Sequence, residues 1–425
     1  MATFTGTSQR DTITSLSLSR GVVADPPGAL PSDAVDRISG LGGNDSIDGA
    51  GGADTISGGD GADTITGDGT IAGDGGNDVL RTIGAVDTTA RGGAGNDAIE
   101  GYSDAATLRL YGDDGDDRLG VSSDSGSPTT FLYGGSGNDS LKAASDFNNA
   151  SFGVGRNTLA GGTGDDRYIV FQSSDVVTEA ADSGFDTVES WADFTLPENV
   201  ESLTLLSTGY FAYGNELATG NGRANVIRGN TENNRIDGLG GDDTLYGRAR
   251  GMDPADIYGD AYADADTLRG GDGNDRLFGG DGVAATWDGN DSLYGEGGAD
   301  SLVGGRGADT LSGGPGGDTY RYAGVGDSPA SGPDRILNFD GVGPAAGDKI
   351  DLTAVDGNAT AGGRQAFSFV SGSLTKAGQL HVVDARGTSS TIEGEVDGKP
   401  GADFVVAVDD GAAKASDWVA GDFFL

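Results

Sequence analysis

The chain contains no cysteine. Disulfides, thiolate nucleophiles and cysteine-ligated zinc are therefore excluded. It has a single histidine, His381, in 425 residues. A zinc protease site of the H-E-x-x-H kind needs two histidines on a helix. His381 lies instead in the strand-like run GQLHVVD, where a strand-surface residue is expected. No G-x-S-x-G nucleophile elbow occurs, and one histidine makes a serine triad improbable. Basic residues are scarce: 26 Lys and Arg stand against 67 Asp and Glu, a net charge of −41. Phosphate would be repelled, so neither a nucleic acid nor an anionic membrane is an expected partner. No apolar run approaches the roughly 18 residues of a helical membrane span. The opening MATFTGTSQRDTIT has neither a basic n-region nor an apolar h-region, so no N-terminal signal peptide is expected.

Glycine, by contrast, is abundant, at 80 residues. Such an excess means either low-complexity disorder or a turn-dense repeat, and a fixed period decides for the repeat. Residues 40–66 read GLGGNDSID, GAGGADTIS, GGDGADTIT. Each nonapeptide carries Gly at the first and fourth places, Asp at the sixth and Ile at the eighth. Glycine supplies the positive φ of a tight turn. The residues around the eighth place make a short strand with one apolar side chain turned inward. The sixth-place carboxylate, an acceptor only, sits in the turn where it can meet a hard cation. The pattern G-G-x-G-x-D-x-U-x resembles the calcium-binding β-roll repeat of the RTX, or hemolysin-type, proteins.

The pattern extends well beyond that stretch. Residues 6–14 form a worn copy with Asp11 and Ile13, the insert at 15–32 holds Pro26, Pro27 and Pro31, and Asp36 and Ile38 restart the register. Full repeats follow at Asp78/Leu80, Asp97/Ile99, Asp117/Leu119, Asp139/Leu141 and Asp166/Tyr168, their apolar places 19, 20, 22 and 27 residues apart. Between them lie Leu110, Leu132 and Leu159, apolar places without an Asp turn. One edge of this roll is thus expected to keep short calcium turns and the other to carry longer, degenerate loops. Residues 171–219 leave the pattern; alternation in DTVES and ENVESLTLL predicts strands, and the segment resembles a spacer between hemolysin-type repeat blocks. The second block opens with Asn225 and Asn234 in the Asp place, where weak calcium sites or none are expected. It continues through Asp243, Asp266, Asp275, Asp291, Asp300, Asp309 and Asp318, the last three nonapeptides uninterrupted over Gly295–Arg321.

From Tyr322 the composition changes to short β runs. DRILNFD, GDKIDLTAVD, GQL and GADFVVAV make residues 322–425 resemble the C-terminal domain of the serralysin metalloproteases. Members of that family carry alternate acids in the loop before the last of these runs. Glu395, Asp397 and Asp403 fit, but Lys399 stands where an acid is expected, which argues against a metal there. The terminal Asp422-Phe423-Phe424-Leu425 resembles the uncleaved signal of type I secretion substrates.

The expected fold is therefore all-β: a parallel β-roll in two blocks of calcium-binding nonapeptide repeats, with a C-terminal β domain. The segments are 1–37 (worn repeat and loop), 38–170 (first block), 171–219 (β spacer), 220–321 (second block) and 322–425 (C-terminal domain). The cofactor is calcium in several sites, ligated by Asp45, Asp54, Asp63, Asp78, Asp97, Asp117, Asp139 and Asp166 in the first block. In the second block the ligands are Asp243, Asp275, Asp291, Asp300, Asp309 and Asp318. An isolated Asp-Gly turn usually holds only its own amides; rows at a period of nine favour the metal. Magnesium is disfavoured because it keeps its waters. Two apolar side chains per roll turn bury too little to offset the ordering of the backbone, so folding should depend on calcium. A Thr ladder suited to ice is absent from the third place.

No catalytic residue and no organic cofactor is expected, because nearly every Asp belongs to a repeat. The functional expectation is a secreted, extracellular calcium-binding protein that folds outside the cell, in a surface, matrix or adhesion role. Expected partners are calcium ions, the type I secretion machinery, and further copies of the chain or a cell-surface polysaccharide. The alternative is a carbohydrate-active or protease-derived enzyme scaffold.

Overall fold

The computed structural model describes all residues except 85, 103–106, 123–128, 146–154, 207–216, 249–263, 281–288, 344–346, 386 and 412. Among the described residues there is no α-helix, only a 3₁₀ turn at Ala420–Asp422, and no helix is long and apolar enough to cross a membrane. The chain divides into two compact units: Met1–Ala192 with Pro197–Ser202, and Asp193–Leu196 with Leu203–Leu425. The division falls inside 171–219, not at either of its ends.

In the first unit two parallel sheets are built by alternate strands. One runs Thr3–Thr5, Arg37–Gly42, Asp54–Asp60, Gly69–Gly75, Thr88–Ala94, Thr107–Asp114, Thr129–Ser136, Arg156–Thr163, Val176–Thr178. The other runs Thr12–Ile13, Ser46–Asp48, Thr64–Thr66, Val79–Arg81, Ala98–Tyr102, Arg118–Ser122, Ser140–Ser145, Arg167–Val170, Thr187–Ser190. This is a parallel β-roll. The register follows from the eighth place. Ile38, Ile56, Ile71, Ala90, Leu110, Leu132, Leu159 and Val177 stack in one row. Ile13, Ile47, Ile65, Leu80, Ile99, Leu119, Leu141, Tyr168 and Val188 stack in the other. Every one of these side chains is buried. A one-residue slip would turn a whole row outward, so the rows fix the pairing. Val176–Thr178 and Thr187–Ser190 belong to 171–192, so that segment adds strands to both sheets.

The second unit repeats the plan. Leu217–Thr219, Arg235–Gly240, Thr267–Asp272, Ser292–Gly297, Thr310–Ser312 and Asp334–Ile336 pair in parallel on one side. Val226–Arg228, Thr244–Tyr246, Arg276–Phe278, Ser301–Val303, Thr319–Arg321 and Lys349–Asp351 pair on the other. The roll then ends in a different pattern. Phe404–Asp409 pairs in parallel with Asp334–Ile336 but antiparallel with Ser389–Glu395, which pairs antiparallel with Gln379–Asp384. Phe339, Trp418, Phe423 and Phe369 stack beside this end, with ring centroids 5.0–5.7 Å apart. These strands cover the open end of the parallel stack, a surface that would otherwise offer unpaired backbone groups.

Candidate metal centres

Each repeat turn must reverse the chain between the two sheets within about six residues, and two features of the sequence make this work. The fourth-place glycine adopts positive φ, as at Gly61 (φ 135°); a Cβ there would strike the carbonyl of Gly43 in the preceding turn. The first-place glycine leaves a hollow. A Cβ on Gly73 would collide with Asp78 Oδ2 and lie 2.6 Å from the carbonyl oxygen of Gly92 in the next turn. Gly92, Gly112 and Gly134 have the same surroundings, each facing its own sixth-place Asp Oδ2 and the next glycine carbonyl.

The sixth-place aspartates are joined in a ladder. The backbone N–H of each donates to Oδ1 of the Asp one turn on: Asp45 to Asp63, Asp63 to Asp78 and Asp78 to Asp97, all at 2.7 Å. Asp97 to Asp117 and Asp117 to Asp139 follow at 2.8 Å, and Asp139 to Asp166 at 2.7 Å. The ladder begins one turn earlier, with Asp11 donating to Asp45 (2.7 Å). It continues beyond the last full repeat, with Asp166 donating to Asp186 (2.8 Å) and Asp186 to Glu201 Oε2 (2.8 Å).

Oδ1 is thus satisfied, and Oδ2 is not. In Asp45, Asp54, Asp63, Asp78, Asp97, Asp117, Asp139 and Asp166, Oδ2 is buried without a hydrogen-bond partner; the same holds for Asp243, Asp275, Asp300, Asp309, Asp318 and Asp334. A buried acceptor left unmade costs about 1–3 kcal/mol, and in Asp45, Asp63, Asp78, Asp97, Asp117, Asp139, Asp243, Asp275 and Asp300 it lies beside the glycine carbonyl of the next turn, another acceptor. No rearrangement among acceptors can satisfy such a hollow; a cation can. The donor set is carboxylate and carbonyl oxygen throughout, the hard-ligand chemistry of calcium. Asp11 differs, because both its oxygens are used, by Thr7 N–H (2.5 Å) and Ser19 Oγ (2.7 Å).

Burial raises these carboxyls, and neighbouring ladder acids add to the effect. Asp54, Asp63, Asp78, Asp97 and Asp139 are pushed up to about 6, and Asp117 and Asp166 to about 7. In the second unit burial takes Asp300 and Asp309 to about 6 and Asp243 and Asp318 to about 7. Asp45 and Asp275 move in the same direction for the same reason.

The opposite edge of the first roll is different. Asp36 N–H donates to Asp54 Oδ1 (2.8 Å), but Asp54 N–H goes to the backbone carbonyl of Asp68 (3.0 Å). Beyond that point Asp68 Oδ1 accepts the Ile83 and Gly84 amides (2.9 and 3.0 Å) and the Thr88 hydroxyl (3.3 Å), and hydroxyl and amide side chains follow. Thr82 Oγ1 and Tyr102 exchange bonds of 2.9 and 2.8 Å, Thr130 Oγ1 donates to Asn157 Oδ1 (2.5 Å), and Asn157 Nδ2 donates to Asp175 Oδ1 (2.6 Å). Parts of these connections, 103–106, 123–128 and 146–154, lie outside the described residues.

In the second roll ladders run along both edges. Asn225, Asp243, Asp275, Asp300, Asp318 and Asp348 link at 2.7–3.0 Å. Asn234, Asp266, Asp291, Asp309 and Asp334 link at 2.7–2.9 Å. Doubled rows are thus not confined to the uninterrupted nonapeptides of Gly295–Arg321. The row joins Asn234 to Asp266 and Asp266 to Asp291 directly, although 249–263 and 281–288, which lie outside the described residues, intervene in the sequence. Asn225 and Asn234 start the two rows with neutral side chains whose Oδ1 atoms take the amides of Asn221 (2.8 Å) and Asn230 (2.7 Å).

All fourteen aspartates expected from the sequence stand in these rows. The rows also contain Asp186, Asp266, Asp334 and Asp348, which that set omits. Their signal is the dipeptide spacing Asp-x-apolar in Asp186/Val188, Asp334/Ile336 and Asp348/Ile350, readable even where the glycines are lost. Glu395, Asp397 and Asp403 do converge. Unlike most of the ladder aspartates, none of the three has a buried oxygen without a hydrogen-bond partner. Asp403 Oδ2 takes the Val396 and Asp397 amides (2.9 and 3.0 Å), Glu395 Oε1 takes the Gly398 amide (2.7 Å), and Asp397 pairs with Lys399. His381 stands on a strand between the Gly372 carbonyl (2.8 Å) and Glu393 (2.9 Å).

The family comparison agrees with the repeat pattern. The model of the RTX calcium-binding nonapeptide repeat matches residues 32–65, 84–107, 131–148, 153–168, 219–249, 260–283 and 288–320. Two curated relatives are similar over 72 residues: the endo-1,3-1,4-beta-glycanase ExsH of Rhizobium meliloti (strain 1021), 43% identical, and EglC of the same organism, 35% identical. In each case the match covers 17% of this chain and 14% of the relative. A solved structure, the AlgE6R3 subunit of the Azotobacter vinelandii mannuronan C5-epimerase, is 30% identical over 38% of this chain and 73% of that one, with a TM-score of 0.23. Over the matched stretches, this chain is built of RTX calcium-binding nonapeptide repeats, which bind calcium ions.

Proposed function

We propose that the chain is a secreted protein that calcium folds outside the cell, and that its role there is structural, in a surface layer, matrix or adhesion contact. The observation that carries this is the row of buried Oδ2 atoms without a hydrogen-bond partner, which at Asp45, Asp63, Asp78, Asp97, Asp117, Asp139, Asp243, Asp275 and Asp300 lie beside the glycine carbonyl of the next turn. Asp45, Asp54, Asp63, Asp78, Asp97, Asp117, Asp139 and Asp166 act as ligands in the first roll, with Asp243, Asp275, Asp291, Asp300, Asp309 and Asp318 in the second. Without metal, the negative rows repel and their orphaned acceptors destabilise the fold; with metal, each ion ties neighbouring turns together. A chain of net charge −41 that is poorly folded in low calcium suits export in the unfolded state through a type I machinery. The serralysin-like strands of 322–425 would then close the second roll.

The glycanase relatives share too small a part of their length to bring their activity with them, and we propose that this chain is not an enzyme. Circular dichroism of the full chain in excess chelator and in millimolar calcium tests the folding claim. Strand signal that appears only with calcium supports it, and an identical folded spectrum in both conditions would refute it. Release of reducing sugar from mixed-linkage glucans would refute the non-catalytic assignment.

A further inference from the structure

The first-place glycines of the first roll occupy one line across the sheet. The pairing Thr5–Ser39–Ser57–Ala72–Arg91–Tyr111–Tyr133–Ala160–Thr178 puts the following residues in line: Gly6, Gly40, Gly58, Gly73, Gly92, Gly112, Gly134, Gly161 and then Glu179. At the last turn the hollow of the repeat is met by a carboxylate side chain in place of a bare glycine. The surroundings of Gly161 change accordingly: a Cβ there would meet Asp166 Oδ2 and the Tyr168 hydroxyl, with no next-turn glycine carbonyl among its nearest atoms. The Tyr168 hydroxyl takes the Gly161 amide (2.6 Å) and donates to Glu179 Oε1.

Asp166, Glu179 and Asp186 converge here, with one oxygen of each within 4.8 Å of the others. Asp166 and Asp186 are 2% and 0% exposed. Asp166 Oδ1 takes the Asp139 amide (2.7 Å), whereas its Oδ2 is buried with no hydrogen-bond partner. Asp186 holds the Asp166 amide on Oδ1 (2.8 Å) and the Ser183 hydroxyl on Oδ2 (3.3 Å). Among the described residues no Lys or Arg pairs with any of the three. Two buried carboxylates and a half-buried one in one place call for a positive charge, and no described residue brings one.

The geometry points to a calcium site of three carboxylates, Asp166, Glu179 and Asp186, that closes the ladder of the first unit and binds more tightly than the repeat sites along it. It rests on the calcium reading of the ladder. A repeat hollow offers its Asp Oδ2 and carbonyls; this one offers two further carboxylates. The charge count of the ligands is what sets calcium affinity among oxygen sites. Its position matters as well. It lies where the repeats stop, so an ion there fixes 171–192 onto the roll and gives the adjoining turn a rigid template.

The test is calorimetric titration of calcium into the chelator-stripped full chain. Wild type should show one tight equivalent before the broad phase of the ladder sites. Glu179→Gln, nearly isosteric, should weaken that equivalent by at least about tenfold and leave the broad phase in place, and Asp186→Asn should do the same. Asp97→Asn should do the reverse, reducing the broad phase and sparing the first equivalent. A tight equivalent unchanged in Glu179→Gln would overturn the proposal. So would a Glu179→Gln chain that folds better without calcium yet binds it as before, since the cluster would then hold a shared proton. Should the carboxylate variants fail to fold, Tyr168→Phe keeps every carboxylate. Terbium, bound in place of calcium and excited through tyrosine, should lose most of its first-equivalent luminescence in that variant, and full luminescence would overturn the site. Loss of calcium binding by wild type would overturn this site together with the ladder. A normal broad phase with an insensitive first equivalent would overturn this site alone.

Discussion

In the first unit one edge of the roll carries a row of aspartates from Asp11 to Asp186, while the opposite edge ends its row at Asp54 and continues with Thr82, Thr130 and Asn157. In the second unit rows run along both edges, from Asn225 to Asp348 and from Asn234 to Asp334. The apolar rows inside the two rolls are alike. What differs is how each edge is closed. A hydroxyl–amide edge is satisfied by its own donors and acceptors, whereas an aspartate edge leaves one buried oxygen per turn for a cation. The first roll therefore has a seam whose buried carboxylates, Asp68 and Asp175, are met by amide and hydroxyl donors, and this seam is expected to depend less on metal than the aspartate rows. Dependence on calcium is therefore expected to vary turn by turn, with whether the groups that close each turn include hydrogen-bond donors.

Chelation gives the largest expected effect and separates the units. Excess chelator should abolish most amide protection in the described residues of 225–321. The Thr/Asn edge of the first roll around Thr82, Tyr102, Thr130 and Asn157 should keep measurable protection for longer. Hydrogen exchange followed by mass spectrometry reads this directly, and equal, simultaneous loss in both units would break the comparison.

Filling the hollow comes next. Gly92→Ala places a Cβ against Asp97 Oδ2 and 2.7 Å from the Gly112 carbonyl. Such overpacking costs about 1–3 kcal/mol and also blocks the ion. The expected outcome is a lower melting temperature in calcium, with little change in chelator. Gly304→Ala in the second roll, whose Cβ would strike Asp309 Oδ2, should behave the same way. A control such as Gly387→Ala, with nothing near its Cβ but φ of 87°, should lower the melt equally with and without calcium.

A single neutralised ligand should matter more where no second row exists. Asp97→Asn keeps an amide oxygen to accept the Asp78 N–H but removes the charge from a turn with one row. Asp300→Asn does the same in a roll with two. The expected loss of calcium-dependent protection around the substituted turn is larger for Asp97→Asn, by about tenfold in local opening (~1.4 kcal/mol). Equal effects would mean that the rows act independently of the opposite edge.

Much of this was readable in the residues, because the eighth-place Ile and Leu and the sixth-place Asp each mark a register. Ile47, Ile65, Leu80, Ile99, Leu119 and Leu141 are evenly legible in the sequence, and they stack in that order. Leu110, Leu132 and Leu159 lack the Asp yet fall in the opposite row as expected. Less legible is the continuation of the rows where the glycines are gone. Asp186, Asp334 and Asp348 hold ladder positions at the ends of loops of variable length. A strand needs only Asp-x-apolar to join the row, whereas the nonapeptide counts the turn as well. Glu179 was hidden for a related reason: its importance lies in the line it shares with eight glycines, and that line exists only once strands are paired.

Acid gives the smallest effect, and its sign is opposite to that of most proteins. Burial holds the ladder carboxyls at about 6 to 7, above the ordinary carboxylate value of 3.8. Between those values the folded chain binds more protons than the unfolded one, so stability falls as pH rises. The stabilisation is fully present below about pH 4 and is lost as pH climbs through 6 and 7. The metal-free chain should accordingly gain strand signal when taken from pH 7.5 towards pH 4.5. In calcium the direction reverses, because the ion must displace those protons, and apparent affinity should fall across the same window. The second roll, with two rows to protonate, should show the steeper response in both conditions. Matched pH titrations by hydrogen exchange would reveal it, and a metal-free chain that loses structure on acidification would contradict the burial of these carboxyls.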